Sequence, residues 1–460
     1  MATDKPWAHG GHDARALGAT HQLAGAGPLS RLEETWYRCC CFEGAVIVMH
    51  VSRPVPVYKD LWAWSFALAI AGYPLVAILS SLTAREDGQL SIAFRLLVIC
   101  LCGLSLLFSD RQKAWRFGNI WLFYFVGLYM LKLGLDANAG IGKAPEGLVF
   151  ATTTSIVPAA FLALSTNRWL EVNVAWAIFA VGALTVAGIV WFQYTGSSAV
   201  LIDNSDRLSL ERLNPISIGH AGLTTLIASY TLIRIPQGKI LKFAIFAVAV
   251  ASAFTIYLAA ARGPIVALAC CIILFPMLRP RLMTIAMGWL LLAAAIFVLA
   301  TMDMTPLLNK FHLTGTGTAA TNSTLARVEA FGYSWELFQQ NPWFGYGTQL
   351  PFFSYPHNMF MEILQAVGLV GMAIFVLVFA RIAVAVKFLA DRRLVLLPLL
   401  TVQAFIGSQF SGSLWGAAFL WIVVTVMIFR VNAMRSFDLR ARRRVMERSY
   451  AQFGVLSGAR

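Results

Sequence analysis

From residue 59 onward the chain consists of long apolar runs separated by short polar breaks. The runs fall near 61–81, 91–109, 117–134, 147–165, 174–193, 216–233, 241–260, 263–279, 283–301, 357–380, 394–410 and 413–430. Each is close to the ~20 residues that an α-helix needs to cross a bilayer. The pattern therefore predicts an all-α, polytopic integral membrane protein with about twelve transmembrane helices. One interval breaks the rhythm. Between Asp303 and Pro356 lie roughly 50 residues of mixed polar and aromatic sequence, and loops that long are usually functional or disordered. Within it Leu325, Val328, Phe331, Trp335 and Phe338 recur at three- and four-residue spacing, which predicts an amphipathic helix over 324–340 suited to lying along a membrane surface. Asn341 and Pro342 stop that helix, Gly345 and Gly347 permit tight turns between aromatic rings, and the chain dives back into the bilayer at His357.

Basic residues give the runs an orientation. Arg111, Lys113, Arg116, Arg168, Arg234, Lys239, Lys242, Arg279, Arg281, Arg381, Lys387, Arg392, Arg393 and the tail from Arg430 to Arg444 fall on one side. The opposite loops carry only Arg85, Lys143, Arg207, Arg212, Arg262, Lys310 and Arg327. The positive-inside rule then places both termini in the cytoplasm and the 302–356 loop in the periplasm. Three parts follow: an N-terminal segment 1–58, a transmembrane domain 59–430 and a basic cytoplasmic tail 431–460. In the first, the apolar stretch Phe42 to Val51 is too short to span and starts too late for a cleaved signal peptide. That segment reads either as a poorly ordered cytoplasmic tail or as upstream sequence before a start at Met49.

Composition agrees with the pattern. With 58% hydrophobic residues, 13% charged and a mean hydropathy of +0.70, there is too little charge to clothe a water-facing surface. The net charge of +14 is spread between apolar runs instead of along one face, so it reads as topology signal and not as a nucleic-acid surface. The seven cysteines sit in the N-terminal segment (Cys39, Cys40, Cys41) and in apolar runs (Cys100, Cys102, Cys270, Cys271). None has metal-ligand spacing with histidine, and no disulfide framework is expected. Asp203 and Asp206 could chelate a cation, but nothing nearby completes an oxygen cage and a solvated loop is the simpler reading.

Arginines that remain on the translocated side beside apolar segments are candidates for function, because basic residues are depleted there. Arg212 precedes the sixth run, and Arg262 sits in a turn of almost no length between the seventh and eighth. A guanidinium held at that depth calls for a phosphate or carboxylate partner, or else it snorkels to lipid headgroups as an anchor. His357, between Pro356 and Asn358 at a helix start, is a candidate base as well as a plain helix-capping histidine. Glu362, one turn further in, is expensive to bury and is expected to orient the site. His220 reads as a satisfied buried histidine.

The combination of Arg327 and Trp335 on the loop helix, Asn341 to Gly347 as N-P-x-x-G-x-G, and His357, Asn358, Gly368 and Gly371 resembles the O-antigen ligase and polymerase family of polytopic bacterial membrane enzymes. The resemblance implies transfer of a glycan from an undecaprenyl diphosphate carrier to a hydroxyl on a second glycan, without a metal or cofactor, at the periplasmic face of the inner membrane. It implies a diphosphate clamp of Arg212 and Arg262, His357 as catalytic base, and Arg327 on donor glycan or phosphate. The partners it implies are the lipid-linked glycan donor, a lipid A-core or glycan acceptor, and membrane lipids, with no nucleic acid. The ligase branch is the preferred expectation and a polymerase of O-antigen or exopolysaccharide the alternative. A membrane transporter is the rival from another class, although no internal repeat supports it. The orientation predicts that an external thiol reagent modifies a cysteine placed at Ser323 and spares one at Asp391; the reverse labelling would overturn the topology.

Overall fold

The computed structural model describes residues 60–82, 89–109, 118–165, 171–195, 200–202, 208–210, 213–278, 318–350, 355–410 and 412–457. The expected segment 1–58, the run 283–301, the loop up to residue 317 and Arg212 lie outside the described residues. In chain order the helices are α1 Leu61–Leu82, α2 Gln89–Leu107, α3 Ile120–Asn138, α4 Ala144–Phe150, a π-helical turn Ala151–Ile156, α5 Val157–Leu164 and α6 Glu171–Thr195. They continue as α7 Pro215–Ile233, α8 Lys239–Ala259, α9 Arg262–Leu278, α10 Thr318–Gln340, α11 Met359–Asp391, α12 Leu396–Phe410 and α13 Ala418–Ser457. Between α6 and α7 a two-stranded antiparallel ribbon pairs β1 Val200–Ile202 with β2 Leu208–Leu210, an element that the apolar-run pattern does not contain.

Every apolar run within the described residues coincides with helix. Among the described residues nine helical spans are long and apolar enough to cross a membrane, while α9 and α12 are shorter apolar helices. Helix is what hydrocarbon demands, because no water is there to satisfy backbone N–H and C=O groups. The hydroxyls follow the same rule. Thr185, Thr225, Ser229, Thr231, Ser252 and Thr255 each donate to the carbonyl four residues back. Small residues set the helix contacts: Gly222 of α7 lies against Ser252, Thr255 and Ile256 of α8, and Gly182 of α6 lies against Thr225. A continuous core joins Phe66, Phe125, Leu162, Ile178, Leu223, Phe375 and Ile422.

Two boundaries differ from the expected ones. The last helix runs from Ala418 to Ser457, so the described part of the basic tail is helical. No proline interrupts that stretch, and its Arg, Met, Leu and Glu residues are good helix formers. The loop helix α10 turns the expected apolar stripe outward. Leu325, Val328, Phe331 and Trp335 are exposed, whereas Ala330, Ser334, Leu337 and Phe338 are buried. Of the expected stripe only Phe338 faces inward, while the other four side chains are left for another apolar medium.

The turn after α10 is held by α11. That helix is broken at Gly368, whose φ of 65° and ψ of −161° are not helical. The break releases the N–H groups of Leu369 and Val370, which donate to Pro342 O at 2.8 Å and Trp343 O at 3.1 Å. The carbonyl of Gln365 turns to the loop in exchange and accepts from Tyr346 N at 2.7 Å. Its side-chain Nε2 donates to Gly347 O at 2.9 Å and Gln349 O at 3.2 Å. From α3, Lys132 Nζ donates to Gly345 O at 3.0 Å, and Asp136 Oδ2 accepts from the backbone N (2.6 Å) and hydroxyl (2.7 Å) of Thr348. Backbone meets backbone here. A Cβ on Gly368 would stand 2.5 Å from Trp343 O and 2.6 Å from Gly345 N.

Gly368→Ala should therefore lower the unfolding temperature of the detergent-solubilised protein, since strain at such a dihedral alone costs about 1–3 kcal/mol. Gly332→Ala, in α10 with nothing within 4 Å of the added methyl, should leave it unchanged or raise it, because helical glycine is about 0.5–1 kcal/mol worse than alanine. Equal melting of both variants would show that the Gly368 break is not needed for stability.

Candidate functional site

His357 stands just ahead of α11. Asn358 caps that helix: its backbone is extended at φ −142° and its side chain accepts from Met361 N at 3.0 Å. Entry into the cap forces His357 to φ 55°, a left-handed conformation that few non-glycine residues adopt and that clusters at functional sites. The ring packs edge-on against Tyr355 with centroids 4.5 Å apart. It is half-buried, and its Nδ1 is fully buried with no hydrogen-bond partner among the described residues. A buried polar atom left open in this way is a valence that a ligand can fill.

Arg327 comes from α10 and Arg262 from the first residue of α9. They are near enough that the charge of Arg262 adds to burial in lowering the Arg327 pKa, while Tyr355 pulls the other way. Burial, and then the Arg327 charge, also hold the His357 imidazole below its ordinary value. Burial and nearby Glu362 push the Tyr355 phenol up, against the pull of Arg327. One cluster thus collects Arg262, Arg327, Tyr355 and His357 from three separate stretches of sequence. Two guanidiniums that repel one another while partly desolvated gain most from an anion placed between them, and their planar forks suit phosphate oxygens.

Glu362 and Asn358 serve the scaffold of this cluster. The Glu362 carboxylate is 1% exposed. It accepts from the Tyr129 hydroxyl at 2.7 Å and from Leu414 N at 2.9 and 2.8 Å through its two oxygens. It therefore ties the start of α11 to α3 and to the turn between α12 and α13. His220 sits on α7 behind Arg262: a Cβ on Gly263 would be 3.7 Å from its Nε2. It meets Gln403, whose Nε2 lies 3.5 Å from His220 Nδ1 and donates to His220 O at 3.0 Å.

Several residues that matter here carry no motif. Tyr355, Lys132, Asp136 and Gln365 each act on the site or its turn, yet in the sequence they look like an ordinary loop aromatic and isolated polar residues in apolar runs. The signal that could have flagged the last three is their cost, because a charge or amide inside a span persists only with a partner.

A family model described as O-antigen ligase matches residues 247–376. No curated protein matches the chain. The matched stretch runs from α8 into α11 and contains Arg262, Arg327, the N-P-x-x-G-x-G turn, His357, Asn358, Glu362 and the Gly368 break. The segment that carries Arg262, Arg327 and His357 is thus similar in sequence to the O-antigen ligase family.

Proposed function

We propose that the protein is an O-antigen ligase-like glycan transferase that moves an undecaprenyl-diphosphate-linked polysaccharide onto a lipid A-core hydroxyl at the periplasmic face of the inner membrane. The observation that carries this reading is the meeting of two guanidiniums and one half-buried imidazole within the family-matched segment. In the proposed step the imidazole of His357 takes the proton of the acceptor hydroxyl as its oxygen attacks the anomeric carbon of the donor. The bond from that carbon to the diphosphate oxygen breaks, and the diphosphate leaves with the electron pair. Arg262 and Arg327 hold and neutralise it, with Arg212 assigned beside them by the family motif alone. The products are the new glycoside and undecaprenyl diphosphate, and no metal or cofactor takes part. The outward apolar face of α10, bearing Leu325, Val328, Phe331 and Trp335, suits contact with lipid next to the donor's polyprenyl chain. A polymerase of O-antigen or exopolysaccharide would use the same clamp and base, with a second lipid-linked glycan as acceptor.

His357→Ala should abolish transfer in a protein that still inserts, since loss of a general base costs about 10²- to 10⁴-fold. Cells with that variant as their sole copy should accumulate long polymer on undecaprenyl diphosphate and carry bare lipid A-core. Core bearing a single repeat unit would identify a polymerase instead, and normal surface glycan with altered solute uptake would point to a transporter.

The pH profile tests the electrostatics. Neutral imidazole is the basic form, so a depressed pKa keeps His357 competent into mildly acidic solution. Arg327→Gln removes a neighbouring positive charge and should raise that pKa. The acidic limb of kcat/KM should then move to higher pH; a limb that stays in place would show that the titrating group is not His357.

A further inference from the structure

On the side of His220, behind the start of α9, lies a cavity of about 380 Å³ whose lining includes none of Arg262, Arg327, Tyr355 and His357. Its walls form a ring of neighbouring segments: α1 packs on α2, α2 on the π-helical turn, that turn on α13, α13 on α12, α12 on α7, and α7 back on α1. α1 also packs on α5 and α13. The result is a cup surrounded by helices, with the turn between α12 and α13 at its lip, where Gly412, Ser413 and Gly416 line it. The same turn is gripped through Leu414 N by Glu362.

The lining is mixed. Arg95 enters from α2, six residues or about 9 Å below the start of the helix, with its guanidinium carbon 4.5 Å over the Phe150 ring. Among the described residues it makes no salt bridge. A cation kept inside a span without a carboxylate is costly, and such residues mark ligand sites. Across the cup Gln403 is completely buried, and its Nε2 is spent on His220 O and Thr224 Oγ1. Its Oε1 has no partner among the described residues. Among the described residues that oxygen is without a donor and Arg95 without an anionic acceptor. The hydroxyls of Thr153 and Thr154 already donate within the helix, to Val149 O and Phe150 O, and are left with acceptor capacity. Tyr73, Phe94 and Phe419 supply apolar and aromatic wall.

We propose that this cup binds an anionic saccharide, its phosphate or carboxylate on Arg95 and a ring hydroxyl donating to Gln403 Oε1. A lipid phosphate alone would satisfy the arginine and leave Gln403 Oε1 open, and a neutral sugar would do the reverse. The volume accommodates about one sugar ring with its charged substituent, at the lower end of the range for small-molecule sites. The binding does not depend on the transferase reading, although under that reading such a sugar belongs to one of the two glycans.

The test uses the full chain in lipid nanodiscs with no donor present and radiolabelled glucose 6-phosphate as probe. Unlabelled glucose and inorganic phosphate serve as competitors. The expected result is saturable binding, with both competitors much weaker than unlabelled glucose 6-phosphate. Arg95→Gln should weaken it about ten- to a hundredfold, as loss of a charge-assisted hydrogen bond does. Gln403→Leu should weaken glucose 6-phosphate without changing the competition constant of inorganic phosphate. His357→Ala should bind as wild type does, which separates this site from the proposed catalytic one. No saturable binding by the folded protein overturns the proposal, as does unchanged affinity in Arg95→Gln or loss of binding in His357→Ala. If Arg95→Gln does not yield folded protein, Gln403→Leu decides, and undiminished affinity there overturns it.

Discussion

The structure around the candidate site depends on backbone hydrogen bonds that cross from a loop into a broken helix. Inside a membrane protein a helix cannot simply be interrupted, because the freed N–H and C=O groups have no water to bind. At Gly368 the loss is made good by the 342–347 turn, which supplies two carbonyls to the helix and takes the Gln365 carbonyl in return. This exchange explains why glycine is found on both sides. Gly345 and Gly368 each have positive φ, and an added Cβ at either would run into the backbone of the other segment. The turn is locked to α11, and α10 arrives at the site with its position already fixed.

From that lock follows the placement of charge. Arg327 on α10 comes to lie near Arg262 at the head of α9, with Tyr355 and His357 beside it. Two neighbouring positive groups and a left-handed histidine are thereby brought to one place. The surrounding scaffold holds the cluster in place with buried polar contacts. Glu362 has both oxygens engaged, and Asp136 and Lys132 each close a bond to the turn. Buried polar groups that are satisfied in this way rigidify what they join.

The apolar pattern by itself determined the helical class and the positions of the spans, because the bilayer thickness and the need for internal hydrogen bonding leave the chain no other choice. It also predicted the helix α10 and marked Arg262 as a charge beside an apolar run, whereas the roles of Arg327 and His357 came from the family resemblance. It could not decide which face of α10 meets the protein. The stripe of Leu325, Val328, Phe331 and Trp335 satisfies a helical period whichever medium it faces, and only packing against α11 assigned Ala330, Ser334 and Leu337 to the inside. Nor could the sequence show the meeting of Tyr355 with His357 and Arg327, or the bond from Glu362 to Leu414. The contacts of Arg327 with this pair and of Leu414 with Glu362 join residues far apart in the chain, and only tertiary packing brings them together. The break itself was decided by tertiary structure, for a glycine within an apolar run reads the same whether the helix continues through it or yields its backbone to a neighbour.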